Sequence, residues 1–470
     1  MAGNRTRDTM NAIRAQIDNR TLLGGDRLPS IRRLAERLGV SPSTVVEAYD
    51  RLVAEGLIHA RRGSGFYVAA KAQPPLILTA GHSQRDRAVD PFWVSRQSLD
   101  SDDVPKPGCG WLPSAWMPND ALRRALRAVA RDNDSLLVDY GGTRGSSALR
   151  RLLLARFAED GLEASPNQLL LAHSGTQAID LLCRFLLSPG DTVLVDDPCY
   201  FNFRALLRAH RVNVVGVPYT VSGPDLERLE SVLNVERPRL YLTNAALHNP
   251  TGATLTLPVA HRLLKLASAH DLIIVEDDIF ADFEATSSPR LAALDGLERV
   301  IRIGSFSKTL SASLRCGYIA ARADWIEDLV DLQVATSFGG PSPVTTATIA
   351  QVLSSGAYRK HMEALRQKLA RARRNVAGEL RSLGIEPWLL PKGGFYLWCR
   401  LPAGVDSADL ARAALAENVV LAPGNVFSVS ESASEFMRFN VAQCDDSRIW
   451  EVMQRTLEKL SSPVRSTVSD

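Results

Sequence analysis

The chain opens with apolar residues at helical spacing. Met10, Ile13 and Ile17 recur at i, i+3 and i+7 and predict an amphipathic helix; after the turn "LLGGDRLPS", Ile31, Leu34, Ala35 and Leu38 share one face of a second. "GVS" is a short turn with glycine first. Ser41 is a good N-cap and Pro42 suits the first helical position, so a third helix begins there, with an inner face of Val45, Tyr49, Leu52 and Val53 and a stop at Gly56. Two short helices joined by a Gly-containing turn make a helix-turn-helix. "LIHA", "RRGSG" and "FYV" then read as a hairpin with arginines and glycines at its tip, a wing able to approach phosphates closely.

From Ala69 to about Cys109 the periodicity is lost among paired prolines, charges and isolated aromatics, which predicts an interdomain linker. Phe92 and Trp93 offer rings that would dock its later half on the body; a free tether is the alternative. Beyond it, "LLLAHSG", "TVLVDDP", "VNVVGVP", "RLYLTNA", "LIIVEDD", "VIRIGSF" and "GYIAA" alternate with helical stretches. Short Val/Ile/Leu runs separated by helices predict an α/β body with a mostly parallel sheet covered on both faces, where ligands collect at the carboxyl ends of strands.

Length and composition agree with this division. A chain of 470 residues exceeds what one core supports, roughly 250–300 residues, so at least two domains are expected. No apolar run reaches the ~18 residues of a membrane span, and "MAGNRTRDTMNAIR" lacks the apolar core of a signal peptide, so a cytoplasmic location is expected. Six cysteines are scattered without CxxC or Cys/His spacing and read as small buried hydrophobes; no metal is implied. Residues 1–70 hold 11 Arg, no Lys and 7 acids, a net +4 against −1 for the rest. A basic module thus precedes a near-neutral body, and its excess points to nucleic acid.

The strand ends carry the candidate chemistry. "LLLAHSGTQAIDLL" passes from a strand through Gly175, Thr176 and Gln177 into a helix, offering free N–H groups and a positive helix end to a phosphate. Tyr200 follows the next strand where a ring could cover a flat ligand. "HNPTG" fixes Asn249 before a proline. "LIIVEDD" ends in Glu276, Asp277 and Asp278, of which at least one is expected to meet a protonated ring nitrogen. "GSFSKTLSASLR" supplies Ser305, Ser307, Lys308 and Arg315. A lysine crowded by cations and shielded from water has a lowered pKa and can attack a carbonyl. Together these pieces call for a phosphate, a basic flat ring with a hydroxyl, and an aldehyde: pyridoxal 5′-phosphate.

Residues 5–68 resemble the winged helix of the GntR family of transcription regulators. The resemblance places Ser41, Ser43 and Thr44 toward the major groove, with Arg32, Arg33 and the wing residues Arg61, Arg62, Gly63, Ser64 and Gly65 on backbone or minor groove. Where many relatives carry a polar or basic base-reader after the first Ser/Thr, this chain has Pro42. The body resembles fold-type I aminotransferases, with a smaller C-terminal α+β part. That resemblance implies that Lys308 forms the imine with the cofactor, Asp277 pairs with the ring nitrogen, Asn249 binds the ring hydroxyl and Tyr200 stacks on the ring. Thr176, Gln177, Ser305, Ser307 and Arg315 would hold the phosphate. Tyr140, in "DYGGTRG", would reach the phosphate of a neighbouring subunit in a homodimer, and Arg438, in "FMRFNVA", would clamp a substrate α-carboxylate.

One position departs from the pattern: the tyrosine usual two or three residues after the ring-pairing aspartate is replaced, since Ile279 and Phe280 stand there. Cofactor binding is expected to survive this loss, with transamination poor or restricted. The order of a DNA-binding domain over 1–70, a linker over 71–108 and an aminotransferase-like domain over 109–470 resembles the MocR subfamily. That resemblance implies a dimeric regulator that binds operator DNA and senses the cofactor or an amino compound. A working aminotransferase with an accessory DNA head is the alternative.

Overall fold

The computed structural model describes residues 2–19, 21–61, 63–69, 91–100, 104–132 and 135–461. The chain divides into two compact units, Met1–Asp86 and Arg87–Asp470.

In the first unit, α1 (Ala2–Asp18), α2 (Ile31–Leu38) and α3 (Pro42–Ala54) enclose a small core of Met10, Ile13, Leu34, Val45, Ala48, Tyr49 and Leu52. Ser30 caps α2, accepting from the Arg33 N–H at 3.4 Å, and Gly39 ends it at φ 64, a left-handed turn that glycine adopts without strain. Ser41 caps α3, accepting from the Thr44 N–H at 3.2 Å, with Pro42 at the first helical position. Three expected core positions differ: Val53 and Leu38 are exposed and Ile31 is half-buried, while Ala48 is fully buried. Tyr49 explains part of this, because its hydroxyl donates to the Pro29 carbonyl at 2.7 Å and fixes which face of α3 turns inward. β1 (Ile58–Arg61) and β2 (Gly65–Val68) form the antiparallel wing, with Arg61 opposite Gly65 at the tip.

In the second unit, α4 (Pro91–Asp100) is helical where the sequence pattern reads as linker. Its Val94 is buried with Phe201, Trp398 and Phe427, so residues 91–100 pack as part of the body; the expected linker residues 71–90 and the Phe92 side chain lie outside the described residues. The main sheet contains β3 (Leu169–Ala172), β4 (Thr192–Asp197), β5 (Asn213–Thr220), β6 (Gly223–Pro224), β7 (Leu240–Thr243), β8 (Ile273–Asp277), β9 (Val300–Ser305) and β10 (Gly317–Ala320), in the order 3-10-9-8-7-4-5-6. Strands β5, β4, β7, β8 and β9 are mutually parallel; β10 runs against both its neighbours.

The uninterrupted apolar runs follow from burial on both faces. Leu169 and Leu171 face one core, Leu170 and Ala172 the other. A second, antiparallel sheet comprises β11 (Glu386–Pro387), β12 (Tyr396–Arg400), β13 (Ala422–Pro423) and β14 (Phe436–Asn440), in the order 11-12-14-13. Among the described residues no helix is long and apolar enough to cross a membrane.

Candidate cofactor cavity and DNA-binding head

The carboxyl ends of the parallel strands open on a cavity of ≈ 440 Å³, lined also by α4, residues 108–111 and the second sheet. Thr176 enters it from the first turn of the helix after β3 (Gly175–Leu186), Tyr200 from the loop after β4, and Asn249 from the loop after β7. Asp277 and Ser305 stand at the ends of β8 and β9, followed by Ser307, Lys308 and Arg315, and Arg438 reaches in from β14. Residues from Thr176 to Arg315 thus share one wall system, because the parallel strands of the main sheet deliver their carboxyl ends to the same edge, and Arg438 joins them from the second sheet.

The acids at the end of β8 separate by partner. Glu276 accepts the Leu291 and Ala292 N–H groups at 2.8 and 3.0 Å. Asp278 pairs with Arg290 at 3.0 Å and with Arg302 at 2.5 Å. Asp277, buried at the cavity wall, receives the Ile279 N–H at 3.2 Å and forms no ion pair among the described residues. Burial pushes its carboxyl up to about 7, and neighbouring Asp278 adds to the effect. Lys308 faces it; burial lowers the amine to about 8, with Arg438 and Arg315 acting in the same sense. Arg315 holds φ 43, an unusual backbone for a side chain of this size, of the kind found at binding sites.

Arg438 is only 1% exposed and, among the described residues, has no carboxylate partner. It donates through Nη1 to Asn249 Oδ1 at 2.9 Å and through Nη2 to the Gly108 carbonyl at 2.8 Å, while its Nε is unpartnered. A guanidinium has five N–H donors, so three remain for an anion. Its bond to Asn249 also consumes that residue's oxygen and leaves the amide nitrogen as the donor. The Asn249–Pro250 bond is cis.

Two expected residues do not join the cavity. Gln177 turns back: its Oε1 accepts the His173 N–H at 2.6 Å, and its own N–H is taken by Ser174 Oγ at 3.0 Å. Its side chain thus points away from the cavity, and Ser174 and Gly175 line the cavity beside Thr176. Tyr140 lies outside the cavity, 80% exposed, its ring 4.9 Å from the exposed Phe338.

Sequence reading missed three residues. Asn244 accepts the Asn249 N–H through Oδ1 at 2.8 Å and donates through Nδ2 to the Asp277 carbonyl, so it sets two walls at once. It stands one residue beyond β7, and its place at a strand end was the available signal. Tyr396 brings a phenol into the cavity from β12, donating to the Gly110 carbonyl at 3.3 Å, with its ring 5.6 Å from Phe280. Cys109 also lines the cavity; all six cysteines are free and buried.

On the head, Arg32, Arg33, Ser41, Ser43 and Arg61 are exposed, and Thr44 is half-buried. Ser41 Oγ lies 2.8 Å from both Ser43 Oγ and Thr44 Oγ1, so the cap draws the three hydroxyls into one cluster at the start of α3. Arg61 lies over the Tyr67 ring at 4.7 Å, and the Tyr67 hydroxyl meets Ser64 Oγ at 2.5 Å, which ties Gly63, Ser64 and Gly65 to the wing. Arg62 lies outside the described residues. Arg32, Arg33 and Arg61 have no acidic partner among the described residues, leaving their charge to solvent or to an anion.

Residues 113–455 match the aminotransferase class I and II family, and residues 6–68 match the gntR family of bacterial regulatory proteins. Over 92% of this chain and 93% of the relative, the sequence is 31% identical to YdcR of Escherichia coli, described as an uncharacterized HTH-type transcriptional regulator. A 2-aminoadipate transaminase of Thermus thermophilus is 30% identical over 74% of this chain and 87% of its own length. Among solved structures, the kynurenine aminotransferase of Pyrococcus horikoshii superposes with a TM-score of 0.72 at 25% identity, covering 80% of this chain and 96% of that one. LysN of Thermus thermophilus, an α-aminoadipate aminotransferase complexed with N-(5′-phosphopyridoxyl)-L-leucine, gives 0.70 at 27%, over 78% and 94%.

Proposed function

Because the chain belongs to the aminotransferase class I and II family and carries a gntR-family head, the MocR-type arrangement, we propose that it is a pyridoxal 5′-phosphate-dependent, DNA-binding transcription regulator whose body senses the cofactor or an amino compound through Lys308. One observation carries the sensor reading: Asp277 and Arg438 are both buried in the wall of a single cavity, and neither has an ionic partner among the described residues. Such groups are costly unless a ligand compensates them. A ligand with a basic ring nitrogen answers Asp277, and one with a carboxylate answers Arg438.

The cofactor supplies an aldehyde and an electron-withdrawing ring. Lys308, its amine lowered to about 8, keeps a neutral fraction near neutrality for reaction with that aldehyde. Asp277 would hold the proton on the ring nitrogen, Asn249 Nδ2 would donate to the ring hydroxyl, and Tyr200 would cover one ring face. The hydroxyls of Ser174, Thr176, Ser305 and Ser307 with Arg315 would hold the phosphate. Arg438 would take the α-carboxylate of an amino compound with its remaining donors. Tyr140 would act across a homodimer, and a protein working on DNA in this way belongs in the cytoplasm.

The similarity to a transaminase favours a second reading, a working aminotransferase with an accessory head. Phe280 weighs against it, because an apolar ring in the cavity wall stands where the family uses a phenol. Measuring operator affinity with and without cofactor and amino acids tests both. Lys308→Ala should still bind DNA but lose the response to these ligands. An unchanged response in that variant refutes the sensor role, and wild-type turnover at ordinary enzyme rates, about 1–1,000 per second, favours the enzyme.

A further inference from the structure

We propose that the cavity takes an α-amino acid with an uncharged, mainly apolar side chain, and that α4 is the wall that reads that side chain. This rests on the sensor reading above. The cavity's charged side chains are Asp277, Lys308, Arg315 and Arg438. Once ring nitrogen, aldehyde, phosphate and α-carboxylate are matched to them in turn, no cation is left in the described lining for a second carboxylate. Against this lining the second charge of a dicarboxylic ligand meets no cation.

The surface that remains is of another kind. Val94 and Leu99 on α4 face the cavity with Trp111 and Phe201, and among the described side chains of α4 the polar atom that lines it is Ser98 Oγ, which is buried without a partner. Arg438 itself is walled by rings, with the Tyr396 ring at 4.2 Å and the Phe427 ring at 4.7 Å from its guanidinium carbon. A neutral hydroxyl beside aliphatic carbon suits a side chain that is hydrocarbon with at most one neutral polar group. The placement of α4 gives this contact a consequence. It is the first described element after residues 71–90, the stretch through which the chain passes from head to body. A ligand side chain touching Val94 and Leu99 therefore presses on the start of the body.

The test uses the full-length protein loaded with pyridoxal 5′-phosphate. It reads the absorbance of the bound cofactor and, independently, the thermal midpoint. Alanine, 2-aminobutyrate, norvaline and norleucine are titrated in turn, beside aspartate and glutamate. The half-saturating concentration should fall about fourfold per added methylene, the ratio expected from ~0.8 kcal/mol for each buried CH₂, and the dicarboxylates should need higher concentrations than norvaline. Leu99 is 68% exposed, so Leu99→Arg and Leu99→Lys should fold and retain cofactor, and should bring glutamate below norvaline. Stronger binding of glutamate or aspartate to the wild type overturns the ligand class while the sensor reading stands. An unaltered ligand order in both Leu99 variants overturns the role of α4. No spectral response to any amino acid, with cofactor bound, refutes the sensor reading itself.

Discussion

Asp277 and Lys308 face each other with their protons displaced in opposite directions, and this sets how the cofactor-free protein responds to pH. For Asp277, burial raises the carboxyl from an ordinary 3.8 to about 7. The folded state then holds the proton more tightly than the unfolded chain, so this contribution to stability is complete below pH ~4 and is lost as pH rises through about 7. For Lys308 the amine falls from 10.5 to about 8, so its contribution is complete above about 10.5 and is lost as pH falls through 8. The empty site is therefore least favourable near neutrality, where the cofactor would meet it. Asp277→Asn should stabilise the cofactor-free protein relative to wild type increasingly from pH 5 to 8, by on the order of 4 kcal/mol at most. Thermal melts across that range check it, and a pH-independent difference would show that Asp277 is compensated by some other group. With cofactor bound, a ring-nitrogen cation offsets the wild-type penalty and the gap should shrink.

At the scale of elements, the head and the body were legible to different depths. The helix-turn-helix followed from Ser41, Pro42 and the 3.6-residue apolar period, yet periodicity alone put Val53 inside and gave no weight to Ala48, whose small side chain is what fits the centre of that core. The strand ends of the body were legible because both-face burial leaves each run apolar until it exits at the functional edge. α4 was not, since "PFWVSRQSLD" has weak amphipathicity and its burial comes from Phe201, Trp398 and Phe427, more than a hundred residues away. Asn244 escaped for a similar reason: it acts by hydrogen-bonding two other segments, which no local pattern records. For the wing the element itself makes a prediction. Arg61 is exposed at the tip, has no acidic partner among the described residues and rests on Tyr67. Arg61→Ala should weaken DNA binding about equally for all sequences and reduce the slope of log affinity against log salt by about one. Ser43→Ala, at the start of α3, should alter sequence preference with that slope intact. Binding isotherms over a salt series separate the two, and a sequence-selective loss in Arg61→Ala would move the wing from backbone to base contacts.

The whole molecule poses the question of what completes the cofactor site. Nine of the residues expected there line one cavity, whereas Tyr140 stands outside it at 80% exposure against Phe338, itself 66% exposed. Two large aromatic rings packed on each other in solvent are poor surface for a monomer and good surface for an interface. If Tyr140 reaches the phosphate of a second copy, Tyr140→Phe removes one hydrogen bond to a charged group, worth roughly 1.5–3 kcal/mol, and should weaken cofactor affinity by about 10- to 150-fold. A change to an exposed side chain outside its own cavity should otherwise have little effect. Fluorescence titration with pyridoxal 5′-phosphate measures the loss. Mixing Tyr140→Phe with Lys308→Ala then shows whether the contact is made across subunits. In a mixed dimer, the Lys308-bearing site faces the intact Tyr140 of the Lys308→Ala subunit and should recover wild-type affinity, whereas a tyrosine acting within its own chain leaves both sites impaired. Sedimentation at the same concentrations should show a dimer, and a monomer that binds cofactor at full strength would rule out the shared site.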